Sequence, residues 1–408
     1  MYIGTYSAVW MLCCEEVSKV PSKAGRNRSD YKKSNRGQVL RLIATGECKN
    51  RTELTEAMGL TKMAISRIVS EMIEAGLVAE QELSVQNDSR RAPIGLAISP
   101  KAPKAVGLLI QREYCEAVLC DLELHIRKRE TVFYGKQIDK EQLIRDMFRV
   151  LDTILYGEDN VIAIGAASIG PVSSSTGMIL KPFYFFGIED IPVVSLLKER
   201  YHLPVFLEHD NQCAAICEHL YGNGRKYQDV LFLGVGSGIG SGIISNGKQY
   251  RNNRGLPPEI GHVSIDINGK QCSCGGRGCV ELYVRTPEVL KKLQYHTGKL
   301  YNFKTYCGME KEPVVEQILN DMVTQLASAV VSTVNILNSE LILLGGDAVD
   351  WDDRYVTLME RIINERRFVE WSTPVKVKKA YFQKDSMILG AACNAYLQIF
   401  EGGLLFEG

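Results

Sequence analysis

The segment EIGHVSIDINGKQCSCGGRGCVE, residues 259–281, contains four side chains of the kinds that bind transition metals. His262 is followed by Cys272, Cys274 and Cys279, and glycines lie between the last two cysteines. Two cysteines one residue apart can bind one ion from a tight turn, and an imidazole completes a tetrahedral shell of three sulfurs and one nitrogen. Because such a shell leaves no open position for water, the segment predicts a structural Zn²⁺ site. Buried or redox-active thiols are the alternative interpretation.

The same segment resembles a known family. The words EIGH, residues 259–262, and GCVE, residues 278–281, are similar to the zinc motif of the ROK family, which contains sugar kinases and sugar-responsive transcriptional repressors. The resemblance extends over about residues 36–400 and is strongest over residues 230–284. It implies an α/β fold in which two actin-like, sugar-kinase-like lobes enclose a cleft.

Length and composition indicate a multi-domain protein. The chain has 408 residues, with 48 basic and 48 acidic side chains, so any affinity for nucleic acid must come from local clusters of basic residues. The 12 cysteines are scattered and three belong to the metal motif, which indicates a reducing cytoplasm rather than a disulfide scaffold. No apolar stretch approaches the roughly 20 residues that span a bilayer, so no membrane association is expected.

Three short helical patterns follow a basic arm near the start of the chain. Residues 19–41 are polar and basic and predict a solvated tail. Apolar positions at helical spacing predict three helices, with a stop at Gly46 and a turn at Gly59 between the second and third. The predicted inward residues are Val39, Leu40, Leu42 and Ile43, then Leu54, Ala57 and Met58, then Ile65, Ile68, Val69, Met72 and Ile73. This spacing is typical of a helix-turn-helix.

The third helix has the features of a DNA recognition helix. Thr61 is its predicted N-cap, and the residues expected to face outward and contact DNA with it are Lys62, Met63, Ser66 and Arg67. Two strand-like runs follow, joined by a polar turn that carries Arg90 and Arg91 near its tip. Paired arginines at a wing tip suit a phosphate backbone or a narrow minor groove. A purely structural three-helix module would explain the apolar residues but not this wing, and residues 36–98 also resemble the winged helix of the repressor branch.

The remaining sequence alternates strands and helices in two stretches. We therefore predict four regions: a leader and basic arm over residues 1–35, a winged helix-turn-helix over 36–98, a first lobe over 99–220, and a second lobe with the zinc motif over 221–387. A helix over residues 388–401 is expected to pack back on the first lobe. Residues 1 to about 18 are set aside as an early start codon or a disordered leader.

The resemblance also implies a sugar site. Asp210, at the end of the strand PVFLEHD, matches the aspartate that acts as general base in ROK kinases, and His209 precedes it. Glu259, His262 and Glu281 match residues that donate to or accept from sugar hydroxyls. The glycines that alternate from residue 234 to residue 242 match the phosphate loop of the kinases, although a tight hairpin bend explains them equally well.

The sequence departs from the kinase pattern where ATP should bind. The first hairpin, GLLIQREYCEAVLCDL over residues 107–122, lacks the aspartate-glycine-glycine-threonine word that holds the phosphates. Leu109, Ile110 and Gln111 bring side chains to places where a backbone must approach the nucleotide. His209 stands where the family usually has asparagine, and Arg285 stands where serine is common.

Three functions follow from these features. The leading hypothesis is a sequence-specific repressor of carbohydrate genes, not an enzyme, that binds double-stranded operator DNA as a homodimer or homotetramer. A sugar or sugar phosphate in the cleft would release it from the operator. The alternatives are an ATP-dependent sugar kinase with an added DNA-binding module, and a repressor that responds to a protein partner.

Overall fold

A computed structural model describes residues 28–82, 94–251, 256–309, 312–368 and 373–406. The leader, residues 19–27 of the basic arm, and the wing-tip residues Arg90 and Arg91 lie outside these ranges. Among the helices of the described ranges, none has the length and apolar character needed to cross a bilayer.

The N-terminal module consists of three helices and a two-stranded hairpin. Its elements are α1 (Arg28–Ala44), α2 (Arg51–Met58), α3 (Lys62–Glu74), β1 (Val78–Glu82) and β2 (Ile94–Ile98), with the two strands antiparallel. Local capping explains the turn between the second and third helices. Gly59 ends α2 with a φ of 63°, a left-handed conformation that glycine adopts without strain. Thr61 then begins α3, since its hydroxyl accepts a hydrogen bond from the Ala64 N–H at 3.2 Å.

Two details of this module differ from the sequence interpretation. The helix α1 begins at Arg28, so the described end of the basic arm is helical and position 36 falls inside the helix. Tertiary packing accounts for this, because the backbone of Lys33 and Ser34 lies directly against Gly402, just after the last helix of the chain. Ala57 is exposed rather than inward, whereas Leu54 is fully buried and Met58 packs against the core. Because the Ala57 side chain is short, Leu54 and Met58 make the contacts of α2 with the core.

The first lobe contains a five-stranded mixed sheet. Its elements are β3 (Lys104–Ile110), β4 (Tyr114–Cys120), β5 (Ile126–Phe133), α4 (Lys140–Leu155), β6 (Val161–Ser168), β7 (Val172–Ser173), β8 (Met178–Ile179), α5 (Val193–Tyr201), β9 (Val205–His209) and α6 (Asp210–Leu220). The strand order in the main sheet is β5-β4-β3-β6-β9, with antiparallel pairing among the first three strands and parallel pairing between the others. The carboxyl ends of β3, β6 and β9 therefore meet at one edge.

The second lobe repeats this arrangement. Its elements are β10 (Val230–Val235), β11 (Ile239–Ser245), β12 (Lys248–Gln249), α7 (Glu281–Val284), α8 (Thr286–Thr297), α9 (Phe303–Cys307), α10 (Pro313–Leu337), β13 (Leu341–Gly346), α11 (Asp353–Arg366) and β14 (Lys376–Lys379). The last helix, α12 (Ser386–Phe400), returns to pack on the sheet of the first lobe. The strand order is β12-β11-β10-β13-β14, the same sequence of hairpin and parallel neighbours as in the first lobe. The predicted two-lobed α/β fold behind a helix-turn-helix module is confirmed.

Helices α6 and α12 pack against each other at the centre of the molecule. The approach is close because small residues line it, and a Cβ added to Gly390 in α12 would collide with the backbone of Cys213 in α6. On its other side α12 covers β3 and β6, where Gly107 and Gly165 leave room for the helix backbone. Side chains at this junction are fully buried, so the two helices behave as one unit of the core.

The N-terminal module is seated on the ends of these two helices. Gly37 of α1 lies against the last turn of α12, and a Cβ added there would collide with the carbonyl oxygen of Phe400. Arg225, just after α6, donates a hydrogen bond to the carbonyl oxygen of Thr45, the residue after α1. The module therefore shares a packed interface with the first lobe rather than hanging from a linker.

Candidate functional site

The two lobes enclose a cleft of about 490 Å³, a size ordinary for small-molecule sites. The carboxyl ends of β3, β6 and β9 supply one wall, and the turn between β10 and β11 supplies the other. All five residues of the predicted sugar site line it: His209, Asp210, Glu259, His262 and Glu281. The fold thus brings together side chains that are far apart in sequence.

Asp210 is the most deeply placed carboxylate, because it starts α6 at the end of β9 and is 4% exposed. One carboxylate oxygen accepts hydrogen bonds from the backbone and side-chain amides of Asn211, at 2.6 and 2.7 Å. The other oxygen accepts from the Gln111 side-chain amide at 2.7 Å. Since a carboxylate oxygen has two lone pairs, Oδ1 is fully occupied by Asn211, whereas Oδ2 can still accept one further donor from a ligand.

The side chains of the first hairpin are placed differently from what the sequence interpretation expected. Leu109 and Ile110 are buried in the sheet and do not enter the cleft, because strand alternation and the two packed faces of β3 take both side chains into the core. From this hairpin, Gln111 and the three residues after it reach the cleft. Gln111 therefore supplies the side chain that occupies the place expected for a phosphate cradle.

Glu259 lines the cleft near His209. A Cβ added to Gly170 would lie 3.0 Å from Nε2 of His209 and 3.5 Å from Oε1 of Glu259, so both groups border the same small space. The Glu259 side chain is reached by water, yet the concave walls displace most of the solvent around its carboxyl group and raise its pKa. Nearby His209 opposes this rise. His209 itself is buried, and its Nδ1 has no hydrogen-bond partner among the described residues.

Glu281 supports the turn between β10 and β11. Its Oε2 accepts a hydrogen bond from the Ile239 N–H at 2.9 Å, and a Cβ at Gly238 would lie 2.9 Å from the same oxygen. Gly234 and Gly240 have another reason for lacking a side chain, because a Cβ at either would collide with the Asn211 side chain. Close packing of α6 on this hairpin therefore explains part of the glycine pattern that suggested a phosphate loop.

The four predicted metal ligands converge on one point. The ligand atoms of His262, Cys272, Cys274 and Cys279 all lie within 4.8 Å of one another. The His262 Nδ1 to Cys272 Sγ distance is 3.6 Å, as is the Cys274 Sγ to Cys279 Sγ distance. A tetrahedral zinc with bonds of about 2.3 Å would separate sulfur ligands by about 3.8 Å, so the donor set and its spacing fit the ion.

The thiol chemistry agrees with this fit. The Gly276 N–H points at Cys274 Sγ at 3.4 Å and lowers the pKa of that thiol, which favours the thiolate. Burial raises the pKa of the Cys279 thiol to about 12, so this ligand would need a neighbouring cation to ionise near neutral pH. Because His262 turns Nδ1 toward the sulfurs while lining the cleft, its Nε2 is the atom left for a ligand.

The predicted DNA-contacting residues form one exposed surface. Thr61, Lys62, Met63, Ser66 and Arg67 are all exposed, with 84% of Met63 accessible. Behind this face, Arg36 of α1 binds Glu71 of α3 through two hydrogen bonds of 2.9 and 2.6 Å, which fixes the angle between those helices.

Sequence reasoning missed two features of the cleft. One is the contact between Gln111 and Asp210, which are 99 positions apart. The other is the aromatic run FYFFG over residues 183–187, whose Phe183 lines the cleft. The run itself was a usable signal, because a cluster of aromatic residues outside a regular element often marks a binding surface.

Known proteins are similar to this chain in sequence and in fold. The sequence matches the ROK family over residues 105–396. The xylose repressor of Caldicellulosiruptor bescii is 24% identical over 384 residues, which cover 89% of this chain and 96% of that protein. The xylose repressor of Bacillus subtilis is 30% identical over 272 residues, 66% of this chain and 70% of that protein.

Two solved structures share the architecture. A ROK family transcriptional regulator, a homologue of the Escherichia coli Mlc protein, superposes with a TM-score of 0.77 at 23% identity and covers 93% of this chain and 100% of its own. The ROK hexokinase of Thermus thermophilus gives a TM-score of 0.62 at 24% identity, covering 72% and 99%. Because the family match spans well over half of the sequence, this chain belongs to the ROK family.

Proposed function

We propose that this protein is a DNA-binding transcriptional repressor of carbohydrate genes that leaves its operator when a sugar binds in the cleft. The observation that carries the proposal is the exposed N-terminal face of α3 on a module packed directly against the sugar-kinase-like lobes. Relatives named xylose repressor and N-acetylglucosamine repressor match 89% and 88% of this chain, which is more than the two lobes alone. The hexokinase match, by contrast, covers 72% of this chain and leaves uncovered about as many residues as the leader, the basic arm and the module contain together.

The cleft is built to bind rather than to phosphorylate. In a kinase, the aspartate must take a proton from the attacking hydroxyl, and a backbone cradle must neutralise the transferred phosphoryl group. Here the Gln111 amide occupies one oxygen of Asp210, and its side chain fills the position of the cradle. We therefore assign Asp210 a binding role, with no catalytic residue in this chain.

The sugar ligands that we propose are His209, Asp210, Glu259, His262 and Glu281. The carboxylates accept from sugar hydroxyls, and the free Nε2 of His262 reaches the same ligand. We further propose that His262, Cys272, Cys274 and Cys279 hold a structural Zn²⁺. The ion would fix the orientation of the His262 ring and the fold of the segment that carries Glu281.

The operator contacts that we propose are Thr61, Lys62, Met63, Ser66 and Arg67 in the major groove, with Arg90 and Arg91 of the wing on the phosphates. The protein would act as a homodimer or homotetramer in the cytoplasm. The regions of the chain are proposed as 1–35, 36–98, 99–220 and 221–387, with the last helix belonging to the first lobe. Sugar would favour a lobe arrangement in which paired modules no longer match the operator half-sites.

The test is selection of operator DNA followed by release. Purified protein is used to enrich duplexes from a random library, and the enriched duplex is titrated by fluorescence anisotropy with and without D-xylose, D-glucose or N-acetyl-D-glucosamine. We expect one enriched sequence and weaker binding with at least one sugar. Failure to enrich any sequence would contradict DNA recognition, whereas enrichment without any sugar effect would favour a protein-responsive repressor.

A further inference from the structure

A loop of the first lobe, residues 181–187 with the sequence KPFYFFG, forms an aromatic wall of the cleft. Phe183 lines the cleft and is 39% exposed, although its side chain is apolar. Its ring lies 6.3 Å from the His262 ring, centroid to centroid, at an interplanar angle of 66°. An apolar face is therefore presented to the same space that the carboxylates and the imidazole border.

This loop reaches across the cleft to the second lobe. The guanidinium carbon of Arg285 lies 5.4 Å from the centre of the Tyr184 ring, a cation–π geometry. On the first lobe, Arg112 Nε donates to the carbonyl oxygen of Phe183 at 3.2 Å. Arg285 stands where serine is common in the family, so this cross-cleft contact is a feature of this chain's own sequence.

The backbone of the loop is held in an unfavourable conformation. Tyr184 and Phe186 have φ values of 58° and 53°, in the left-handed region that residues with a Cβ avoid. Phe185 between them is only 1% exposed and packs with Tyr134, whose ring also meets Phe186 at 6.2 Å. Non-glycine residues in strained conformations persist where the surroundings fix them, and they concentrate at ligand-binding sites.

We propose that Phe183 is a sugar-binding residue whose ring packs on the apolar C–H face of a pyranose. The hydroxyl groups at the edge of the same sugar would meet Asp210, Glu259 and Glu281. This inference rests on the proposed sugar-sensing function and specifies its ligand as a cyclic sugar with a continuous C–H face. The ring sets that requirement, since an acyclic polyol can satisfy the carboxylates but presents no rigid apolar surface.

Tyr184 and Arg285 act as positioning residues for this ring. They do not line the proposed contact themselves, but they tie the loop to the opposite lobe one residue away from Phe183. Loss of either partner should let the loop move and should weaken sugar binding less than loss of Phe183. Because both residues act through one contact, their effects should not add.

Calorimetric titration of the full-length protein tests the contact, with D-xylose, D-glucose and N-acetyl-D-glucosamine as probes. We expect Phe183→Ala to lower the affinity for the sugar that binds best by about tenfold, equivalent to about 1.4 kcal/mol. Phe183→Tyr, which keeps the ring, should stay within about threefold of wild type. Tyr156→Ala is the matched control, because Tyr156 is an 84% exposed aromatic outside the cleft. Xylitol should bind wild type and Phe183→Ala equally weakly.

The contact between Tyr184 and Arg285 is tested by a double-mutant cycle. We expect Tyr184→Ala and Arg285→Ser each to weaken binding by about threefold, the double variant to be no worse than either, and Arg285→Lys to recover part of the loss. Unchanged sugar affinity in Phe183→Ala would overturn the inference and leave the sensing function intact. A wild-type protein that binds none of the three sugars would overturn the sensing function and this inference with it.

Discussion

Arg67→Ala gives the sharpest test of the DNA-binding surface. The Arg67 side chain is 65% exposed, and its contact with Glu71 is long, with 3.9 Å between Nε and a carboxylate oxygen. Glu71 is already bound by Arg36 at 2.6 Å, so removal of Arg67 leaves no carboxylate without a partner. An exposed pair of this kind contributes little to stability, and the free energy of unfolding should change by less than about 0.5 kcal/mol.

The effect on DNA binding should be much larger. Each phosphate contact that is lost reduces the slope of log K against log salt by about 0.9, so a dimer with two recognition helices on the operator should lose about 1.8. If Arg67 contacts a guanine edge instead, its removal should cost about 1–3 kcal/mol of binding free energy per helix and relax the sequence preference at one position. Both outcomes support the surface, and they are separable because only the first changes the salt dependence.

The assay is fluorescence anisotropy on the enriched operator between 50 and 200 mM salt, a range over which protein–DNA affinities fall steeply. Arg145→Ala is the matched control, because Arg145 is 59% exposed and also makes a long contact one helical turn away, 3.8 Å from Glu141. Equal losses of affinity in the two variants would refute the assignment of α3 as the recognition helix. So would an Arg67→Ala variant that keeps both the wild-type slope and the wild-type sequence preference.

Three further predictions concern the cleft and the metal. Wild type should hold about one zinc per chain by atomic absorption, and Cys274→Ser should lose it. The variant should also lose operator binding and sugar response, because metal binding is coupled to folding. A metal-free variant with full activity would refute this coupling. Asp210→Asn or Glu281→Gln should keep operator affinity but blunt release by sugar, giving a super-repressor in gel shifts. Loss of operator binding in these variants would show that the sugar site and the DNA-binding module are not separable. A coupled ADP-release assay should detect no sugar-dependent turnover in wild type, and a rate near 1 per second, the low end of ordinary kinases, would restore the kinase hypothesis.

Local patterns in the sequence were sufficient to predict much of this molecule. The convergence of the four proposed metal ligands was predictable because all of them lie within one short segment whose glycines set the turn. The start of α3 was predictable because Thr61 caps it through a neighbour three residues away. The contact of Gln111 with Asp210 was not, since it depends on how two strands far apart in sequence end at the same edge of a sheet.

Packing also explains where the sequence interpretation was incomplete. Alternating glycines suggested a phosphate loop, but the Cβ atoms that Gly234 and Gly240 lack would have collided with Asn211. The identity of that neighbour depends on the docking of α6 against the hairpin, which no local pattern encodes. The extension of α1 back to Arg28 has a similar origin, because its Gly37 is explained only by the last turn of α12.

The placement of helices α6 and α12 has a mechanical consequence. Each begins at the cleft, with Asp210 and Met387, and each ends beneath the N-terminal module. At a rise of about 1.5 Å per residue, the two rods measure about 16 and 22 Å, so a tilt of about 5° at the cleft would displace the far end of α12 by about 2 Å. Under the proposed function, a lever of this length would convert a small shift at the ligand into a change in the position of α3, because α1 packs directly on the last turn of α12.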